Sequence, residues 1–114
     1  MSTRNTADLI QEYLHLTRDA MPALAKQRNA EQGREGNAQW PVQHDHCFQR
    51  IVLDNICGGA WYDYIKAPAY QHLSPTQADA AVRLCHQIIG GEADLKQLNE
   101  RSFKWRQKQY RFSF

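Results

Sequence analysis

SPTQADAAVRLCHQIIGG, residues 74–91, carries both a start and a stop for a helix. The Ser74 hydroxyl is a natural acceptor for a free amide of the first turn, Pro75 suits the first helical position, and Gln77 stands where its side chain reaches back to the cap amide. Ala81, Leu84, Cys85 and Ile88 then recur at the three- and four-residue steps of a buried helical stripe. Gly90 and Gly91 end it.

Downstream, Glu92 and Asp94 favourably open a further helix near its positive pole, and that helix buries Leu95, Leu98 and Trp105. Beyond it Tyr110, Phe112 and Phe114 alternate with Gln109, Arg111 and Ser113 at the period of a strand, which predicts an extended tail from about residue 107. Upstream, Phe48, Ile51, Val52 and Ile56 mark a helix with Asp45 as its expected cap and Gly58 and Gly59 as its stop. The aromatic-rich segment between, AWYDYIKAPAYQHL at 60–73, holds Pro68, which biases Ala67 away from helix and predicts a short helical turn followed by an extended link.

Nearer the amino terminus, Leu9, Ile10, Tyr13, Leu14, Thr17, Met21 and Leu24 form another amphipathic stripe, capped by Asn5 or Thr6, with Pro22 kinking the helix or opening a new turn. KQRNAEQGREGNAQ at 26–39 has only Ala30 and Ala38 as apolar members and reads as a loop or a fraying helix end. Structure resumes at Trp40 and Pro41. β-Branched residues are few and no pair of strands is visible. The fold class expected is therefore all-α: one domain over 1–114, with four or five helices around one core and an extended basic-aromatic C-terminal tail.

Composition agrees. The chain has 114 residues, enough for one core, with 42% apolar and 23% charged residues, the balance of a globular protein. No apolar run approaches the roughly 18 residues a membrane helix needs, and the start MSTRNTADL lacks the basic and apolar regions of a secretory signal, so a cytoplasmic location is expected. Cys47, Cys57 and Cys85 are odd in number and form no CxxC pair, which predicts reduced thiols. The net charge of +2 is unevenly spread: residues 1–100 carry nine Lys or Arg against twelve Asp or Glu, and residues 101–114 carry five basic residues and no acid.

The densest reactive cluster is His44, Asp45, His46 and Cys47. Each is a competent metal ligand, but a single helix converges ligands at i and i+4, and the paired short spacings of a structural zinc site are missing. His44, His46 and Cys47 would need His72, Cys85 or His86 to complete a set, so no metal and no other cofactor is expected. Cys85 precedes His86 directly, yet helical neighbours do not face each other. There is no GxSxG elbow, P-loop or GxGxxG.

His46, Arg50 and Asp54 follow at four-residue steps and put an imidazole, a guanidinium and a carboxylate in one row. Such a row suits an anionic ligand: Arg50 binds it, Asp54 orients the guanidinium, and His46 exchanges a proton near neutral pH. Trp61, Tyr62 and Tyr64 would supply the aromatic wall. The competing reading is an ordinary solvated face. If Arg50 anchors the ligand, Arg50→Lys is expected to abolish binding with little loss of stability, because an ammonium cannot reproduce the planar fork.

The tail interleaves Arg101, Lys104, Arg106, Lys108 and Arg111 with Phe103, Trp105, Tyr110, Phe112 and Phe114, which sets phosphate contacts beside stacking faces. Alternatively, Arg101, Lys104 and Arg106 complement the negative pole of the last helix while the aromatics pack on the domain or on a second copy. Two functional readings result. The first is a cytosolic interaction module that self-associates through its tail or contacts nucleic acid through Arg101, Lys104, Trp105, Arg106, Lys108, Tyr110 and Arg111. The second is a small enzyme or ligand-binding protein with an anionic-metabolite site at His46, Arg50, Asp54, Trp61 and Tyr64.

Overall fold

A computed structural model describes residues 5–30 and 40–112, the last five of them by backbone alone. Helix α1 (Thr6–His15) starts at Asn5, whose Oδ1 accepts the Asp8 amide at 2.8 Å. It passes through a π turn (Leu16–Ala20) into α2 (Met21–Ala30), so the three form one continuous rod. The Thr17 hydroxyl donates to the Tyr13 carbonyl at 2.9 Å and accepts from Gln49 Nε2 at 3.1 Å, while the Met21 amide reaches back five residues to Leu16. The chain thus widens just ahead of Pro22, where a regular helix would have lost a bond. Residues 26–30, read from the sequence as a loop or a fraying helix end, are the end of α2. Lys26, Gln27, Arg28 and Ala30 are good helix formers, and burial of Ala25 and Met21 anchors the turn before them. The rest of that expected loop, residues 31–39, lies outside the described residues.

Helix α3 (Asp45–Cys57) is the centre of the fold and packs on the π turn and α2. Its cap is His44, not Asp45: His44 has the extended backbone of a cap, and Asp45 is the first helical residue, its Oδ1 accepting the His46 amide at 2.8 Å. Asp45 still places negative charge at the helix's positive pole. Gly58 closes the helix with φ 74°, a conformation that costs other residues steric strain. A 3-10 turn (Trp61–Asp63), a cis Ala67–Pro68 bond and the short α4 (Ala69–His72) follow.

Helix α5 (Pro75–Ile89) has the expected reciprocal cap: Ser74 Oγ accepts from the Gln77 amide at 3.1 Å, and Gln77 Oε1 accepts from the Ser74 amide at 2.9 Å. It buries Ala78, Ala81, Val82, Cys85 and Ile88 against α1 and α3. Phe48, Ile51 and Val52 of α3 are fully buried with Met21 and Ala25, each large side chain contributing about 1.5–3 kcal/mol. Trp40 covers the edge of this core, its ring 5.6 Å from Phe48 in an edge-to-face pair.

Helix α6 (Leu95–Phe112) begins at Asp94, whose Oδ1 accepts the Lys96 amide at 3.0 Å. An extended tail was expected from about residue 107; the backbone of residues 107–112 instead continues the helix, and residues 113–114 lie outside the described residues. The buried stripe of α6 is Leu95, Leu98, Asn99 and Ser102, apolar for one turn and polar for the next. Among the described residues the fold is all-α, no strand forms, and no helix is long and apolar enough to cross a membrane.

Candidate functional site

The polar turn of α6 faces the row that α3 carries. Asp54 is completely buried and each of its oxygens takes two donors: Oδ1 accepts from the Trp61 amide at 2.9 Å and Arg106 Nη2 at 3.2 Å, and Oδ2 from Ser102 Oγ at 2.6 Å and Arg106 Nε at 2.9 Å. A buried carboxylate is tolerated only when paired and fully hydrogen-bonded, and this one is both. Arg50 donates from Nη1 to Ser102 Oγ and from Nη2 to Asn99 Oδ1, each at 2.7 Å, with its guanidinium 4.5 Å from the centre of the Phe103 ring. Burial pulls the Arg50 pKa below the ordinary arginine value; Cys47 opposes this and Arg106 adds to it.

Two sequence expectations are thereby corrected. The guanidinium that Asp54 orients is that of Arg106, and Arg50 connects to Asp54 only through the Ser102 hydroxyl. Arg106 neither complements the end of the helix nor stands free on a tail. It lies mid-helix, inside the α3–α6 contact, with Tyr62 under its guanidinium at 5.2 Å.

Beside this network opens a cavity of about 460 Å³. Arg50, Arg106, His46 and Gln49 line one side, Trp61, Pro68, Ala69 and Tyr70 another, and Tyr13, Leu14, Leu53 and Arg18 complete it. Asp and Glu are missing from the lining among the described residues. Arg18, which sequence reasoning missed, comes from the π turn and stands 5.6 Å from the centre of the Tyr70 ring. No spacing in the sequence marked it, because the π turn departs from the regular helical register.

Of the expected site residues, the structure brings His46, Arg50 and Trp61 to the cavity and places Asp54 behind it. Tyr64 turns away: it is 60% exposed, and its ring packs where a Cβ on Gly59 would come within 3.0 Å. His46 is an exposed rim residue whose ring stacks parallel on His44 at 5.7 Å. Cys47 follows on the helix, half-buried, and no group of three metal-ligand types converges among the described residues. His86 instead stands 3.5 Å from Glu12, and the Cys85 thiol, buried in the core, is pushed up to about 12 by burial and by Glu12. On α6, Arg101 and Lys104 are exposed and Trp105 is half-buried. The side chains of Lys108, Tyr110 and Arg111 lie outside the described ones.

Compared with protein-family models, with curated proteins and with solved structures, the chain matches none.

Proposed function

We propose that the protein binds a small anionic metabolite in the cavity between α3, the π turn and the 61–70 segment. The observation that carries this reading is the lining: three guanidiniums and an imidazole without a carboxylate, set against Trp61, Tyr13 and Tyr70. The Asp54 and Ser102 bonds fix Arg50 and Arg106 before any ligand arrives, which reduces the ordering cost of binding. The volume falls within the ~300–1,000 Å³ of small-molecule sites. Free Cys47, Cys57 and Cys85 accord with a cytoplasmic setting.

Thermal denaturation against a panel of small carboxylates and phosphates tests the reading. A ligand bound only by the folded state raises the melting temperature, with about 2.7 kcal/mol of stabilisation at a concentration one hundred times Kd. A panel that leaves the melting temperature unchanged would overturn it.

A second reading has its own support on α6. Phe103 is 48% exposed beside the exposed cations Arg101 and Lys104, which offers a stacking face and phosphate contacts to single-stranded nucleic acid. Anisotropy of a labelled oligonucleotide should then rise on binding and fall with salt, and Phe103→Ala should weaken it. Self-association through the same helix would appear instead as a doubled mass in light scattering, with the oligonucleotide unbound.

A further inference from the structure

Resting on the proposed anion site, we infer that its ligand carries one oxyanion group, held by Arg18, on a flat apolar body of one or two rings. The three guanidiniums of the cavity are not equivalent. Arg50 spends Nη1 and Nη2 on Ser102 and Asn99, and Arg106 spends Nε and Nη2 on Asp54. These two are held in place by those bonds, and Arg106 is paired with the Asp54 carboxylate, so each meets a ligand only with the N–H groups its partners leave over. Arg18 donates to no protein acceptor among the described residues; its contact is the Tyr70 ring, and its side chain is exposed. It retains the whole planar fork that grips a carboxylate or phosphate through two parallel bonds.

The position of Arg18 follows from the π turn, where the Thr17 hydroxyl and Gln49 hold the widened backbone. Such turns recur at functional positions because they redirect a side chain out of the regular helical register. The apolar part of the lining is Leu14, Leu53, Trp61, Pro68 and the Tyr70 ring, which suits a flat apolar body better than a second charged arm. Trp and Pro surfaces favour a flat ring that stacks. The volume of about 460 Å³ lies near the small end of ligand sites, which limits the body to one or two rings.

Isothermal titration of the full chain with phenyl phosphate and indole-3-acetate, against inorganic phosphate and acetate, tests this. The ring-bearing anions should bind at least about tenfold more tightly than their parent ions, and Arg18→Gln should weaken them by about tenfold or more, the range expected for a lost charged hydrogen bond. Arg18→Lys keeps the charge without the fork and should recover only part of the loss. Circular dichroism melting of each variant verifies that it folds. Parent ions binding as tightly as the ring compounds, or Arg18→Lys and Arg18→Gln binding like the wild type, would overturn the inference while leaving an anion site in place. Four ions that all fail to bind would overturn the anion site itself and the inference with it.

Discussion

Arg106 Nε lies 2.9 Å from Oδ2 of Asp54, joining a fully buried carboxylate on α3 to a cation 52 residues further along the chain. Asp54→Ala removes the shared acceptor of Arg106, Ser102 and the Trp61 amide at once. Breaking a buried pair from one side costs about 3–5 kcal/mol, because the remaining charge stays buried without compensation. Urea denaturation of Asp54→Ala should show a loss of that size, and a midpoint equal to the wild type would contradict the pairing.

Arg50→Lys should now cost stability, contrary to the expectation from the sequence alone. An ammonium cannot reach Asn99 and Ser102 together, and each buried partner left without its bond costs about 1–3 kcal/mol. The same denaturation curves measure it.

Ser74→Ala removes one half of the reciprocal cap of α5 and should lower stability by about 1 kcal/mol. Ser74→Gly should lower it by only a few tenths of a kcal/mol, since glycine is itself accepted at a cap. Equal losses for both variants would assign the effect to something other than the cap.

The difference between these sites marks what the chain makes legible. The α5 boundaries are written locally, because Ser74, Gln77 and Gly90 act on amides and carbonyls within a turn of themselves. The His46, Arg50 and Asp54 row was equally legible as a spacing, but not as an environment. The partners that turn it from a solvated face into a buried network, Asn99, Ser102 and Arg106, sit about fifty residues away on α6, and their register against α3 is set by packing. In the tail, the alternation of Tyr110, Phe112 and Phe114 was legible only as a period, and the backbone of α6 runs through its first part to Phe112. Arg18 escaped notice because it stands in a π turn whose Thr17 accepts from Gln49 across the fold, a contact that no local pattern carries.

Alkaline pH should destabilise the fold through Cys85. Burial raises its pKa to about 12 from an ordinary 9.0, so the folded state holds a proton that the unfolded state has released. The stabilising contribution is complete below pH 9 and is lost progressively towards pH 12, since in that window the unfolded state binds fewer protons. Burial raises the Tyr13 phenol as well, in the same direction. Melting temperatures from pH 8 to 11 should fall for the wild type and fall less steeply for Cys85→Ala; parallel curves would remove Cys85 from the account.

The central claim is that the cavity beside the Asp54 network is where this protein meets an anion. Chemical-shift mapping by NMR during a titration with phenyl phosphate tests it most directly, because it locates the ligand without assuming an activity. The account predicts saturating shifts at the Trp61 indole N–H and at the amides of Arg18, Ala69 and Tyr70, with Trp105 and Phe103 unmoved. Shifts confined to 101–105, or none at saturating ligand, would contradict it.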